Sequence, residues 1–68
     1  METIGDRIKI LRTKKGITQE QLAGELECHP NTIAWWETGR SLPNPVMIIE
    51  MSEVFGVTTD YILKGVRS

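Results

Sequence analysis

Residues 18–39 read TQEQLAGELECHPNTIAWWETG, and this stretch decides the fold. Thr18 followed three residues later by Gln21 is a capping box: the threonine hydroxyl takes the third helical N–H, and the glutamine side chain returns to the threonine's own N–H. The helix it opens carries Leu22, Ala23 and Leu26 on its inner side and must be short, because Pro30 arrives soon after. Pro30 suits the first turn of a second helix, where its missing N–H is harmless. Ile33 and Trp36 give that helix one apolar face, and Gly39 stands where a helix-ending glycine belongs. A second short helix is thereby brought across the first at a steep angle. Ala23 supplies the small side chain near the crossing, and Cys28 an apolar plug for the turn.

Working outward, the same grammar continues. Upstream, Ile4, Ile8 and Leu11 share one helical face, and the basic residues of that helix are expected to point outward. Lys14 and Lys15 followed by Gly16 read as its C-terminus. Downstream, Arg40 to Pro43 is loop, and Asn44–Pro45 pairs a cap with a first-turn proline. Ile48, Met51, Ser52 and Phe55 continue one face to Gly56. Thr58 caps a last short helix containing Ile62 and Leu63 and ended by Gly65, and Val66 to Ser68 read as a frayed tail. The expectation is five helices in one domain over residues 1–68, with no linker, repeat or alternating strand pattern.

Composition bounds the function. A 68-residue chain buries only about 60% of the surface its unfolded form exposes. Cys28 is the one cysteine and His29 the one histidine, so neither an internal disulfide nor a zinc site is available, and no metal or other cofactor is expected. The apolar 40% and charged 25% are ordinary for a globular protein. No long apolar run or signal-peptide layout is present, so the expectation is a soluble, cytoplasmic domain with no membrane partner. Catalysis is set aside, with no small-molecule substrate: Cys28 and His29 are neighbours in sequence, which is not the spatial pairing that activates a nucleophile. The net charge of −1 hides an uneven distribution. Residues 1–16 hold five bases against Glu2 and Asp6, a net of +3, whereas residues 17–39 hold Glu20, Glu25, Glu27 and Glu37 with no base, a net of −4. A basic face for a polyanion is available only in the N-terminal third.

Crossed short helices with an inward Ile33 and Trp36, and Asn31, Thr32, Ala34, Trp35 and Thr38 nearer the outside, are the layout of a helix-turn-helix. The chain resembles the Cro/repressor-type (Xre-family) helix-turn-helix regulators of phages and bacteria. The matching residues are I-x-x-L-R at Ile8 to Arg12, G-I-T-Q-E-Q-L-A at Gly16 to Ala23, T-I-A-W-W-E-T-G at Thr32 to Gly39, then Pro43 and F-G-V-T-T-D-Y-I-L at Phe55 to Leu63. They cover nearly the whole chain and imply a five-helix, lambda-repressor-like, all-α fold.

The resemblance also implies roles. Gln19 would hold a phosphate and orient the recognition helix, about residues 30–38. Pro30, Asn31 and Trp35 would face base edges, helped by Thr32, while Thr38 and Arg40 meet the DNA backbone. Arg12 and Glu37 would form a structural ion pair. The departures matter as well. The family's turn glycine is Glu27 here, which puts a non-glycine where a left-handed conformation is needed, at about 1 kcal/mol. The usual serine or threonine cap is His29, Pro30 removes a base-reading side chain, and Trp35 replaces a polar residue. Asn31 is left as the clear hydrogen-bonding reader.

Several side chains have plainer readings. Trp36 belongs to the core; Trp35 either touches DNA, covers a protein interface or lies on its own surface. Cys28 reads as a small buried hydrophobe, and His29 as a surface residue near the turn. Lys14 and Lys15 either solvate a helix end or approach DNA, and Glu20 and Glu25 form an exposed acidic face. Tyr61 and its neighbours in the last helix are core or dimer seam, and that helix, with Tyr61, Ile62 and Leu63, is the candidate seam of the dimer. The functional expectation is a sequence-specific, double-stranded DNA-binding transcriptional regulator, a repressor acting as a homodimer on an inverted repeat. The alternative is a protein-interaction module on the same fold, anchored through Trp35, with weakened DNA binding.

Overall fold

A computed structural model describes residues 2–65; the expected tail at Val66 to Ser68 lies outside them. The described residues form five helices and no strands: α1 (Ile4–Lys15), α2 (Gln19–Leu26), α3 (Pro30–Thr38), α4 (Pro45–Phe55) and α5 (Thr59–Lys64). This is the all-α architecture expected. Each helix begins on a side chain that accepts one of its orphan N–H groups. Thr18 takes the Gln21 N–H at 3.0 Å while Gln21 takes the Thr18 N–H at 2.8 Å, which closes the capping box. Asn44 takes the Met47 N–H at 2.9 Å, and Thr58 takes that of Tyr61 at 3.0 Å. A further box, in which Thr3 and Asp6 exchange bonds of 3.0 and 3.1 Å, opens α1. That T-x-x-D spacing is visible in the sequence but was not among its expectations.

Four helices end on a left-handed glycine, and α2 ends on Glu27, held at φ 54°. The substitution read from the sequence is therefore accommodated without changing the turn. The Cys28 N–H reaches back to the Ala23 carbonyl at 2.9 Å, so the turn between α2 and α3 keeps its hydrogen bonds despite the missing glycine.

Ile8, Leu22, Ile33, Met51 and Ile62 are fully buried, one from each helix, with Ala23, Leu26, Trp36 and Ile48 around them. α1 approaches α3 so closely that a Cβ on Gly5 would overlap the Trp36 carbonyl oxygen. Cys28 is half-buried against the core, and burial pushes its thiol pKa up, with Glu50 adding to the effect.

Two expectations need correction. The basic residues of α1 do not all point outward. Arg7 is 6% exposed; its Nε donates to the Ile62 carbonyl at 2.8 Å and its Nη2 to the Leu63 carbonyl at 2.9 Å. These carbonyls close the last turn of α5, so a guanidinium supplies the donors that helix end lacks. The second correction concerns α5: Ile62 is wholly buried beneath Arg7 and is core, whereas Leu63 is 42% exposed.

Candidate nucleic-acid interface

The face that α3 leaves outward is built from the residues its core contacts leave over. Ile33 and Trp36 point inward at 0% and 4% exposure. Asn31, Trp35 and Thr38, at helical spacings of four and three, are exposed on the other side. Pro30 and Thr32 are half-buried beside them, and Arg40 is exposed in the turn beyond. The sequence-derived positions 30, 31, 32, 35, 38 and 40 are therefore gathered on α3 and the turn that follows it.

Local chemistry fixes how that helix starts. Pro30 brings no N–H, and the His29 ring accepts the Asn31 N–H at Nδ1, 3.1 Å away. His29, expected as a surface residue near the turn, is thus exposed and is also the N-cap. The next amide, that of Thr32, is taken by the His29 carbonyl at 2.9 Å.

At the far end, the Arg40 guanidinium lies over the Trp35 ring, 5.2 Å from its centroid. A pair this exposed is worth about 0.5–1 kcal/mol. It makes the third reading of Trp35, a ring lying on its own surface, partly true, with Arg40 as the covering group. The Thr38 hydroxyl turns back to its own helix, donating to the Ala34 carbonyl at 3.0 Å.

Behind α3 sits the group that orients it. The Glu37 carboxylate side chain is 3% exposed and receives three bonds from two other helices. Arg12 of α1 donates from Nε to Oε2 at 2.6 Å and from Nη2 to Oε1 at 3.1 Å, a fork-to-carboxylate pair. Gln19 of α2 donates from Nε2 to the same Oε1 at 3.0 Å. Arg12 also reaches the Ile17 carbonyl at 2.9 Å. The hydrogen bond to Glu37 holds the Arg12 pKa above its ordinary value, against the opposing effect of burial. One carboxylate therefore ties α1, α2 and α3 together directly behind the outward face.

Reasoning from the sequence missed the Gln19–Glu37 bond, the Arg40–Trp35 stack and the Arg7 clamp. Only the last carried a signal. Ile4, Arg7, Ile8 and Leu11 follow the i, i+3, i+4, i+7 spacing of an inward helical face, and Arg7 occupies an inward position in it. With Arg7 and Arg12 committed inside, the exposed cations among the described residues are Lys9, Lys14, Lys15, Arg40 and Lys64. The N-terminal basic face is correspondingly smaller than its +3 suggested. Among the described residues no group of His, Cys, Asp and Glu is arranged to hold a metal, and no helix is long and apolar enough to cross a membrane.

A capped short helix crossing another, with its outward positions held open by a buried polar clamp, defines the helix-turn-helix class, and comparison with known proteins agrees. The family described as helix-turn-helix matches residues 8–62. The chain belongs to the helix-turn-helix family. It is 40% identical over 60 residues to the HTH-type transcriptional activator BcrR of Enterococcus faecalis, covering 88% of this chain and 29% of that protein. It is 33% identical over 64 residues to the SPbeta prophage-derived uncharacterized HTH-type transcriptional regulator YonR of Bacillus subtilis, covering 94% of this chain and 59% of that one. The chain thus spans less than two thirds of either relative. Among solved structures it superimposes on the P22 c2 repressor protein in complex with synthetic operator 9T in the presence of Tl+, with a TM-score of 0.92 and 29% identity. That match covers 97% of this chain and all of the other, and bears out the lambda-repressor-like fold.

Proposed function

We propose that the protein is a sequence-specific, double-stranded DNA-binding transcriptional regulator of the cytoplasm. It lays α3 in the major groove and acts as a homodimer on an inverted repeat. The observation that carries this reading is the outward row Asn31, Trp35 and Thr38, braced from behind by the Gln19–Glu37–Arg12 clamp. Such bracing is what base reading requires, since a loosely held helix loses the geometry that separates a right base edge from a wrong one. The likeness to a repressor bound to its operator supports the same reading.

In it, the Asn31 amide pairs with an adenine edge, and Thr32 contributes from the same turn. Trp35 offers an apolar edge to a thymine methyl, while Pro30 sits at the groove-facing end of the helix without hydrogen-bonding to a base. Arg40 leaves or shares the indole to neutralise a phosphate, with Thr38 beside it and Gln19 fixing the angle of approach.

The test is selection from a randomised duplex library at low salt, followed by sequencing. A two-fold symmetric motif that is lost on Asn31→Ala is the expected result. No enrichment from a protein that remains helical by circular dichroism would overturn the reading and favour a partner that covers Trp35.

A further inference from the structure

The start of α3 hangs on a side chain that can take up a proton. Pro30 brings no N–H, so the first amides of the helix are those of Asn31 and Thr32, and His29 takes both. Its ring accepts the Asn31 N–H at 3.1 Å, and its carbonyl accepts that of Thr32 at 2.9 Å. A backbone N–H can only donate, so Nδ1 carries the lone pair and the proton of the neutral ring sits on Nε2. The N-caps of the other four helices are Thr3, Thr18, Asn44 and Thr58, none of which titrates. The helix with a titratable cap is thus the one that carries the outward row, and the amide its ring holds belongs to Asn31.

We infer that His29 is a proton-sensitive positioning residue. Neutral, it fixes the first turn of α3 and with it Asn31; protonated, it releases that turn, and the protein loses base discrimination without losing its general hold on DNA. The inference rests on the DNA-binding reading above and gives that site a regulation by pH. Histidine is the side chain whose charge changes between about pH 5 and 8. Protonation turns Nδ1 from acceptor to donor, which sets it donor to donor against the Asn31 N–H. It also places a cation at the positive end of the helix dipole. His29 is exposed, so the ring can swing into water and relieve both conflicts. The first turn then frays, while Ile33, Trp36 and the Glu37 clamp keep the rest of α3 in place.

The new charge also attracts phosphate, which opposes the loss. Phosphates are the same on every sequence, however, so the two effects separate. Charge acts on all duplexes alike, whereas a loosened first turn acts only where a base is read. Other ionisable groups flank the turn: Glu25 and Glu27 at the end of α2, Cys28 itself, and from α4 Glu50, whose charge reaches the Cys28 thiol. Glu37, at the far end of α3, is engaged by Arg12 of α1 and Gln19 of α2. A variant altered at His29 alone keeps all of these, so their own titration appears equally in it and in the wild type.

The experiment compares the full chain with His29→Ser, at fixed salt and at about pH 8 and pH 5.5. Serine caps a helix and does not titrate in this range. Each protein is titrated onto the selected duplex and onto a scrambled duplex of equal length. On acidification the wild type should lose about 5-fold of its preference for each half-site engaged, the equivalent of one cap. That loss should come from weaker binding of the selected duplex, and His29→Ser should keep its preference. Equal acid sensitivity in the two proteins overturns the inference, as does an unchanged wild-type preference or a change carried only by tighter binding of the scrambled duplex. If no duplex is selected or bound at either pH, the DNA reading is the one that fails. Urea unfolding then tests the cap alone. A cap held by the neutral ring is present at the higher pH and lost at the lower, so the wild-type midpoint should fall further than that of His29→Ser. Midpoints that fall in parallel overturn the inference.

Discussion

Glu37 is the residue on which the site turns. Its carboxylate is nearly dry, and three donors from two helices compensate for the water it has lost. Removing one partner of such a pair leaves the other buried and uncompensated, which is more costly than removing both. Arg12→Met and Glu37→Leu should each cost about 3 kcal/mol, at the lower end of the range for buried pairs because Arg12 keeps 12% exposure. The double variant should lose clearly less than the sum of the two, as measured by urea unfolding; strict additivity would mean the pair contributes nothing as a pair. Glu27 presents the opposite case, a residue the fold tolerates at a cost. Its φ of 54° is one that a side chain resists and glycine does not. Glu27→Gly is expected to raise stability by about 1 kcal/mol, visible as a higher urea midpoint at unchanged slope.

At the scale of the helix, boundaries are local chemistry, and α1 shows how far that chemistry reaches. Backbone and side-chain hydrogen bonds from Thr3 hold the exposed Asp6 carboxyl below its ordinary pKa of 3.8. Because the folded value lies below the unfolded one, the stabilisation is complete above pH 3.8 and drains away as pH falls through the folded value. Asp6→Asn, which cannot become the carboxylate that the Thr3 N–H favours, should therefore be less stable than the wild type near neutrality, and the difference should close once Asp6 is protonated. Thermal unfolding followed at a series of pH values would show the two curves converging in acid; a constant gap would put the loss elsewhere. This locality is also why the helix ends were legible in the sequence. Thr18, Asn44, Thr58 and the glycines at 16, 39, 56 and 65 each act within four residues of themselves. The outward row of α3 was legible for a related reason, as what remains once Ile33 and Trp36 are assigned to the core. Arg7 was not read correctly because its partners lie 55 and 56 residues away, a distance local periodicity does not span. Ile62 was misassigned because six helical residues hold too few turns to choose between neighbouring faces.

For the whole molecule, charge sets the terms on which a polyanion is met. Two of the eight bases are spent on internal carbonyls and a carboxylate, and Arg40 is stacked on an indole. Glu20, Glu25 and Glu27 stand exposed on α2 and its turn. Binding should therefore depend more on the fit of α3 than on phosphate neutralisation. With about three phosphates engaged per protomer, the slope of log K against log salt should lie near −5 for a dimer. Titrations between 50 and 200 mM salt would measure it, and a slope near −10 would overturn the estimate, meaning that essentially every exposed cation described is engaged on a phosphate.

The tandem indoles of α3 give the protein a built-in optical gauge. Trp36 is sealed in the core at 4% exposure, whereas its neighbour is 40% exposed beneath a guanidinium. The two rings therefore emit from different surroundings although they are adjacent in the chain. A ligand on the outer face should quench or shift the redder emission and leave the bluer one as an internal reference. Trp35→Phe separates the two components, so occupancy of the outer face can be followed without any attached label.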